Sequence, residues 1–538
     1  MKKAESAAGG RIAPAGKSPG VVRRSLFRYS PALVLTAIAI ADGGRFADPD
    51  LWGHLVFGRH VLLTGHLNHR DVYSFTAYGL RWRDYEWLSE ALFAFVYGHA
   101  GVIGLKLMKF SCAALIVSLL ALGEGETGAP ESAQFAVLIA SAVAIGPELQ
   151  FRPQLFTFIF FAATLYLIGR EIRRGAAPLW LMVPMMALWV NFHGGFFVGL
   201  AVLGLFCAIV IIGDLINGAD FSRARRPGAI LIGAGAATLC TPYGLSNWRA
   251  VANTLSNPAT RRLIVEWRPL SAVMRINLAS QHAAPILYLT VLGLFVAFGI
   301  ALAIAPRADD FPLVAIAVVM IAGALIAVRN IPLAVIAAAG PLARHGGLAL
   351  DRMRGRPDPS AVDGEAMPVA SACRWRINQL ALTAIALALA INTGLFSPRL
   401  RDGIAYPAGA VSFMDASGLR GNILNDFNWG EYLIYHLTPD SRVFIDSRYD
   451  MVYPPKVIGD YVAFYSGAPD AARVLAEWPV DFVLMPTDSA AARYTAQRPD
   501  WRLIYQDRDS SLYARTDSAA ARLPGVPIRR VPPPPYFP

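Results

Sequence analysis

Charged residues are scarce in this chain. Of its 538 residues only 16% are Asp, Glu, Lys or Arg, whereas 55% are hydrophobic. Soluble globular proteins carry about a quarter charged residues, so the composition excludes an ordinary soluble protein. The sequence also contains no HExxH, paired CxxC, Walker loop or GxSxG motif, which removes the strong metal, nucleotide and hydrolase signatures. Four cysteines without CxxC spacing argue against a disulfide framework or a zinc site.

Long apolar runs are what the chain has instead. The runs at 196–216 and 284–305 are long enough to cross a hydrocarbon core of ~30 Å, which predicts a polytopic α-helical membrane protein. We count about eleven transmembrane helices within a membrane domain at 29–396. The predicted spans lie near 29–45, 101–122, 132–147, 154–169, 178–191, 195–216, 229–241, 284–305, 311–328, 331–343 and 377–396.

The basic residues predict the orientation in the membrane. Residues 1–28 form a basic tail without a cleavage site, which indicates a cytoplasmic N-terminus. Alternate loops then face the cytoplasm, and these carry the arginines: Arg170, Arg173 and Arg174, then Arg223, Arg225 and Arg226, then Arg344 through Arg376. This distribution explains the net charge of +11 without a nucleic-acid partner, for which the sequence has no motif. We expect a multi-pass protein of the bacterial inner membrane.

With this orientation, the distinctive polar stretches all face the periplasmic or extracellular side. They are 46–100, 147–154, 191–195, 242–283, 329–330 and everything after residue 396. Unrelated loops have no reason to share one face. An active site at the outer membrane surface would require it, so we predict that these stretches converge there.

The last 140 or so residues differ in composition from the membrane domain. Apolar runs shrink to strand length, and helical stretches alternate with them, which predicts a periplasmic α/β domain at 397–525. The expected strands are 421–424, 442–446, 480–486, 501–506 and 511–515, and the expected helices lie near 428–437, 455–465, 468–477 and 488–497. The proline-rich tail at 526–538 has no packed role that the sequence assigns.

An acidic stretch, "ADPDLWGH" at 47–54, follows the first predicted span. Pro49 ends any preceding helix, and a helix is predicted from Leu51 to Thr64. Asp50 stands where its N-cap would be, which explains Asp50 structurally but leaves Asp48 unexplained. His54 lies one turn beyond Asp50 on the same helix face. The apolar side chains expected to rest on the membrane surface are Trp52, Leu55 and Leu62.

An acidic pair at the head of an interfacial helix in the first external loop resembles the GT-C glycosyltransferases. The stretch beginning "DPDLWGHLVFGRHVLLTG", together with "FRPQLFTF", "WVNFHGGFFVGL" and "IVEWRPL", carries this resemblance over roughly residues 30–345. That superfamily includes aminoarabinose–lipid A and protein O-mannosyl transferases. The resemblance implies an inverting hexosyl or pentosyl transferase. It would move a sugar from a polyprenyl-phosphate donor to a glycan, lipid or protein acceptor on the periplasmic side.

The same resemblance implies roles for particular residues. The catalytic acid of the family maps onto the "DPD" stretch, as Asp48 or Asp50, and we favour Asp48 as the base because Asp50 has the cap as its structural explanation. Glu86 is a second acidic candidate that could equally cap or solvate a helix at 86–98. A divalent metal such as Mg²⁺ or Mn²⁺ is compatible with ligands from Asp48, Asp50 and His54, and members of the superfamily differ in their use of one.

Arginines at external span ends are the candidates for binding the donor phosphate, because a guanidinium pairs well with phosphate oxygens. Arg329 is preferred, and Arg152 is placed similarly. Each of these arginines could instead be an interfacial anchor. His193, in "NFHGG", is expected to line the same cavity. Three further arginines lie in the long loop at 242–283: Arg261, Arg262 and Arg268.

Two other classes of function stay open at this stage. The chain could be a transporter or flippase of lipid-linked glycans, but the predicted spans carry few internal charges, which favours chemistry at the surface. It could also be a non-catalytic scaffold for envelope assembly with the same fold. In the C-terminal domain, Asp446 and Arg448 stand at a strand end where ligands often bind, although an internal ion pair closing a turn explains them better.

Overall fold

The structure is a computed structural model that describes residues 46–218, 220–256, 264–279, 285–355, 400–402, 404–523 and 536–537. The predicted tail at 1–28, the spans near 29–45 and 377–396, and Arg261 and Arg262 lie outside these residues. The helices of the membrane part are α1 Leu51–Thr64, α2 Trp87–Glu126, α3 Glu131–Ile145, α4 Gln154–Arg174, α5 Met182–Phe192, α6 Phe196–Ile216, α7 Ser222–Ala237, α8 Ser246–Ser256, α9 Leu270–Ala279, α10 Pro285–Ile304, α11 Phe311–Ile326 and α12 Ile331–Met353.

Each predicted span within the described residues coincides with a helix, but not every one of these helices can cross a membrane alone. Six segments of the described chain are long and apolar enough: Trp87–Glu126, Gln154–Arg174, Phe196–Ile216, Leu287–Ile304, Ala308–Ile326 and Val328–Met353. Helices such as α3, with 15 residues, and α5, with 11, are shorter than the ~30 Å core requires. The protein is a multi-pass membrane protein, and the count of eleven spans stays a prediction.

The long helix α2 joins two predicted elements. Gly101 adopts φ 58° and ψ −151° inside it, a conformation open to glycine because it lacks a Cβ. The kink separates a segment in the first loop, expected at 86–98, from the span expected at 101–122. The range α2 therefore comprises two helices joined by a sharp bend at Gly101, and glycine at this position lets the chain turn from the loop into the membrane part.

Ion pairs, one of them to a fully buried carboxylate, join helices at one end of the bundle. Arg173, at the last turn of α4, pairs with Asp310, which is fully buried just before α11. Arg344, within α12, pairs with Asp309 at 2.7 Å. Since α4 begins next to the candidate site and is 21 residues long, this cluster lies about 30 Å from the site. The arginines predicted to be cytoplasmic thus gather away from the polar stretches predicted to be external.

The C-terminal part folds as a mixed five-stranded sheet with helices, as predicted. Its strands are β3 Asn422–Asn425, β4 Arg442–Val443, β5 Phe482–Pro486, β6 Trp501–Gln506 and β7 Ser510–Arg515, in the order β4-β3-β5-β7-β6. The three strands β4, β3 and β5 run parallel, whereas β7 is antiparallel to both β5 and β6. The helices are α13 Ala408–Ala416, α14 Gly430–Leu437, α15 Pro455–Tyr465, α16 Ala471–Glu477 and α17 Ala490–Ala496. Of these, α13 was not predicted.

A second, three-stranded sheet joins distant parts of the chain. Strand β1, Phe46–Ala47, pairs in parallel with β2, Leu400–Asp402, and β2 pairs in antiparallel with β8, Tyr536–Phe537. The expectation that the proline-rich tail has no packed role is therefore wrong for β8. Strand β2 thus lies between the segment that leads into the "DPD" stretch and Tyr536–Phe537, and links the two by backbone hydrogen bonds.

The first loop packs on the C-terminal domain, which corrects the predicted membrane contact of α1. Trp52 is 1% exposed and its ring lies 4.9 Å from Tyr432 and 4.3 Å from Phe537, measured between ring centroids. Leu55 is also buried, and of the three residues assigned to the membrane surface only Leu62 is exposed. Apolar side chains of the first loop thus complete one hydrophobic core with the C-terminal domain.

Candidate active site

One cavity of about 930 Å³ lies where the membrane helices, the first loop and the C-terminal domain meet. Every stretch predicted to face outward contributes to its wall: Asp50, Arg152, His193, Glu266, Arg329 and Glu431 each come from a different one. The six stretches therefore meet at one cavity, and that it faces the outer side of the membrane stays a prediction. A volume near the upper end of the range for small-molecule pockets, roughly 300–1,000 Å³, leaves room for more than one substrate.

Arg152 is the centre of an acidic cluster at the cavity wall. It lies just before α4 and donates from Nε to Asp48 Oδ1 at 2.8 Å, while its two terminal nitrogens lie 3.1 Å from Asp50 Oδ2 and 2.7 Å from Glu266 Oε1. The three carboxylates raise the pKa of Arg152 well above its ordinary value against the opposing effect of burial. Because one guanidinium faces three acids, Arg152 has little capacity left for a phosphate, and the cluster keeps a net negative charge.

The structure exchanges the roles that the sequence suggested for the two aspartates, because Asp48 rather than Asp50 accepts a local backbone hydrogen bond. Helix α1 starts at Leu51 as predicted, but the Asp50 side chain makes no capping hydrogen bond. Asp48 takes the local role instead, because its Oδ1 accepts from the Asp50 backbone N–H at 3.0 Å. Asp48 is buried, and burial raises its pKa. Among the described residues that line the cavity, Asp50 is present and Asp48 is not.

The N-terminal turn of α1 is capped from the C-terminal domain. Glu431, in α14, accepts from the Gly53 backbone N–H at 3.0 Å and is held on its other oxygen by the Ser447 hydroxyl. A Cβ at Gly53 would lie 2.3 Å from the Glu431 carboxyl carbon, so any other residue would displace this carboxylate. Burial, with Asp50 close by, raises the pKa of Glu431 well above its usual range. The C-terminal domain thus positions the turn that carries Asp50.

The side chains of Glu86 and His193 lie next to each other in the cavity wall, with Glu86 Oε1 3.5 Å from His193 Nε2. The tautomer of His193 follows from its other nitrogen. Nδ1 accepts from the Gly195 backbone N–H at 2.9 Å, so it carries no hydrogen, and the Thr157 hydroxyl at 2.8 Å must also donate to it, while the oxygen of that hydroxyl accepts from Trp189 Nε1. The ring hydrogen therefore lies on Nε2, toward Glu86.

The environment shifts the pKa values of this pair in opposite directions. Burial raises the pKa of Glu86 to about 7, opposed by His54 and supported by Asp84 and Asp50. Burial lowers the pKa of His193 to about 3, and the positive charge of Arg329 adds to the effect. A neutral imidazole beside a carboxyl group that titrates near pH 7 is an arrangement suited to proton transfer.

His54 does not meet Asp50, which corrects the proposed metal-ligand set. Its Nδ1 lies 3.0 Å from Glu90 Oε1, while Arg152 stands between Asp48 and Asp50. In the part of the chain that the structure describes, no group of three His, Cys, Asp or Glu side chains is arranged to hold a metal ion. These three residues therefore do not fit a Mg²⁺ or Mn²⁺ site in this arrangement.

Arg329 is a second cation in the cavity wall, and Glu266 of the Arg152 cluster is the acid with the strongest electrostatic effect on it. It lies just before α12, and its guanidinium stacks 4.2 Å from the centroid of the Trp267 ring. No carboxylate of a described residue lies within salt-bridge distance of it. A partly buried arginine without such a partner beside the start of a helix has its charge available to an anion.

Several residues of the site were not singled out from the sequence. Glu266 and Trp267 lie within "IVEWRPL", which was quoted only for the resemblance, and Asp84 and Glu90 flank Glu86. The sequence around Glu431 did not indicate its role, because Gly53, whose backbone N–H it accepts from, lies 378 positions away. For Asp446 and Arg448 the ion-pair interpretation is confirmed.

The Arg448 guanidinium pairs with Asp446 at 2.6 Å and with Asp71 of the first loop at 2.8 Å. The guanidinium also contacts an aromatic ring, that of Trp82, whose centroid lies 4.7 Å away. The side chain is buried. It therefore ties the first loop to the C-terminal domain rather than presenting a free ligand edge.

No family model matches the chain, and no curated protein matches it. Several solved structures do match the chain. The oligosaccharyltransferase AglB of Archaeoglobus fulgidus, in complex with an inhibitory peptide and a dolichol-phosphate, matches with a TM-score of 0.52 at 10% identity, over 86% of this chain and 70% of that one. Its apo form matches with a TM-score of 0.50.

Two further similarities have lower scores. The arabinofuranosyltransferase AftD from Mycobacteria has a TM-score of 0.48 and 17% identity over 92% of this chain, which spans 40% of AftD. ArnT from Cupriavidus metallidurans, bound to undecaprenyl phosphate, has a TM-score of 0.46 and 12% identity, over 92% of this chain and 99% of that one. The similarity to AglB is one of architecture, and the chain has a GT-C-like fold.

Proposed function

We propose that this protein is a membrane glycosyltransferase. It transfers a sugar from a polyprenyl-phosphate donor to an acceptor of the cell envelope, at the periplasmic or extracellular side. The GT-C-like fold supports this class, and AglB, the neighbour with the same architecture, is described in complex with a dolichol-phosphate. The observation that carries the proposal is the cavity itself, which is lined both by a carboxylate cluster and by Arg329, an arginine that no carboxylate of the described residues approaches within salt-bridge distance.

Arg329 is our candidate for holding the donor phosphate. Transfer leaves a polyprenyl phosphate whose negative charge rises as the bond to the sugar breaks, and a nearby guanidinium stabilises that charge. Trp267 keeps the guanidinium in place by stacking on it. Arg152 is less suited, because three carboxylates already share its charge.

Asp50 is our candidate for the base. In the proposed step the acceptor hydroxyl oxygen attacks the anomeric carbon, the bond from that carbon to the phosphate oxygen breaks, and the hydroxyl proton passes to the carboxylate. Asp50 lines the cavity, whereas Asp48 is buried behind it and supports the Asp50 backbone. The shared guanidinium leaves the acidic cluster negatively charged, so a carboxylate remains to accept the proton.

The phosphate assignment is tested with undecaprenyl phosphate as the probe and the purified full-length protein in detergent. Arg329→Ala should weaken binding at least tenfold, which is about 1.4 kcal/mol. Arg249→Ala is the matched control, because Arg249 is an exposed arginine of α8 that does not line the cavity. Equal binding by wild type and Arg329→Ala would remove Arg329 from the proposal, and no binding by the wild type would refute the donor class.

The base is tested in a strain that lacks the gene, by profiling its membrane glycolipids and polysaccharides after complementation. Asp50→Asn should fail to restore the wild-type profile while still binding undecaprenyl phosphate, since general base catalysis contributes about 10²–10⁴-fold to a rate. Asp48→Asn, expressed at the same level, should restore the profile in part. A normal profile with Asp50→Asn would exclude this base and would support a scaffold instead.

A further inference from the structure

The C-terminal domain forms a wall of the cavity that the proposed transfer step does not use. Asp426, Phe427 and Asn428 follow strand β3, and Tyr461 and Tyr465 come from α15. All five residues line the same cavity as Asp50 and Arg329. The wall comes from the C-terminal domain, whereas Arg329 comes from the membrane part. A second molecule bound to the wall would therefore share the cavity with the donor.

The wall is an ordered aromatic surface with polar groups at its margin. The rings of Tyr461 and Tyr465 stack with centroids 5.6 Å apart and planes 30° apart. The Tyr461 hydroxyl accepts from the Phe427 backbone N–H at 3.0 Å, and Asp426 accepts from the Asn428 N–H at 2.9 Å. These bonds hold the turn in place, while the side chains of Asn428 and Tyr465 remain exposed to the cavity.

We propose that this aromatic wall binds a sugar residue of a glycan acceptor, an inference that rests on the proposed function. A sugar ring presents an apolar C–H face and a rim of hydroxyls. Tyrosine rings cover the apolar face with little loss of conformational entropy. The exposed Asn428 amide supplies hydrogen-bond partners for hydroxyls, the kind of contact that discriminates against molecules without them.

A peptide acceptor suits the wall less well. An extended peptide commonly adds to the free edge of a sheet, and β4 is the edge strand nearest the cavity. The first loop already occupies that edge, because the Val443 N–H donates to the Tyr73 carbonyl and the Phe75 N–H donates to the Val443 carbonyl, both at 3.1 Å. The structure therefore offers side-chain recognition on this wall rather than backbone pairing.

The experiment measures binding of a defined probe to the full-length protein in detergent. The probe is the oligosaccharide fraction released by mild acid from the envelope polysaccharide of the producing strain, followed by saturation-transfer NMR. Tyr465→Ala and Asn428→Ala should each weaken binding about tenfold, and Tyr465→Trp should restore it. Tyr78→Ala is the matched control, since Tyr78 is an exposed tyrosine outside the cavity.

Binding of undecaprenyl phosphate to the same variants separates this inference from the proposed function. It should stay within about twofold of wild type, because the wall lies in another domain from Arg329. Equal oligosaccharide binding by wild type and Tyr465→Ala, or no binding by the wild type, would overturn the inference and leave the donor assignment standing. A tryptic peptide pool that binds in place of the oligosaccharides, with loss in Tyr465→Ala, would also overturn it. Loss of undecaprenyl phosphate binding by the wild type would refute the donor assignment alone.

Discussion

Replacing Gly53 with alanine tests whether the C-terminal domain shapes the turn that carries Asp50. Alanine normally stabilises a helix by up to about 1 kcal/mol relative to glycine. Here the new methyl would lie 2.3 Å from the Glu431 carboxyl group and would displace it from the Gly53 N–H. Overpacking costs about 1–3 kcal/mol and a lost hydrogen bond about 1, so we expect a net loss near 2 kcal/mol.

A double-mutant cycle tests this explanation, because it predicts that the destabilising effect of Gly53→Ala disappears or changes sign when the Glu431 side chain is removed. In a Glu431→Ala background the obstructing atoms are gone, so Gly53→Ala should become neutral or stabilising by up to about 1 kcal/mol. The measurement is the free energy of unfolding in detergent, from denaturant titrations followed by tryptophan fluorescence. Gly98→Ala, at a helical glycine with no atom within 4 Å of the added Cβ, is the control and should not destabilise. Additive effects of Gly53→Ala and Glu431→Ala would refute the contact.

Two further predictions address the packing of the domains and the titration of the site. Trp52→Ala should destabilise the protein by about 3–5 kcal/mol and expose the C-terminal domain to limited proteolysis, whereas the exposed Trp180→Ala should do neither. The pKa of Glu86 is about 7 in the folded state and about 4.5 in the unfolded state. Between these pH values the folded state binds more protons than the unfolded state does. The contribution of this group to stability therefore falls as pH rises from 4.5 to 7. Glu86→Gln should therefore be more stable than wild type at pH 8, with the advantage vanishing toward pH 4.5 in thermal unfolding. An advantage that is constant with pH would contradict the raised pKa.

Local patterns were sufficient for the elements of the fold. The helix at Leu51–Thr64 has the predicted bounds, because Pro49 ends the preceding segment and the polar turn at Gly65 stops the helix in a left-handed conformation. The strands and helices between 421 and 515 follow from alternating apolar runs and turn residues. The meeting of these polar stretches was also predicted, because the charge bias of the loops placed all of them on one side of the membrane.

Side-chain partners from distant segments could not be predicted in the same way. Asp50 has the sequence context of an N-cap, yet Arg152 draws its carboxylate into an ion pair, and Asp48 accepts the local backbone N–H instead. Trp52 has the position of a membrane-facing residue, but aromatic rings of the C-terminal domain compete with lipid for it. Such choices depend on which surfaces meet in the folded protein, and no periodicity in the chain records them.

The small sheet of β1, β2 and β8 sets an order in which the protein can mature. The segment that leads directly into Asp48 is hydrogen-bonded to Leu400–Asp402, and through that strand to Tyr536–Phe537. Because a chain is translated from its N-terminus, Tyr536–Phe537 is made long after Phe46–Ala47. A chain made only as far as Asp402 would therefore hold the first loop through β1 and β2 alone, and the sheet gains its third strand when Tyr536–Phe537 has been translated.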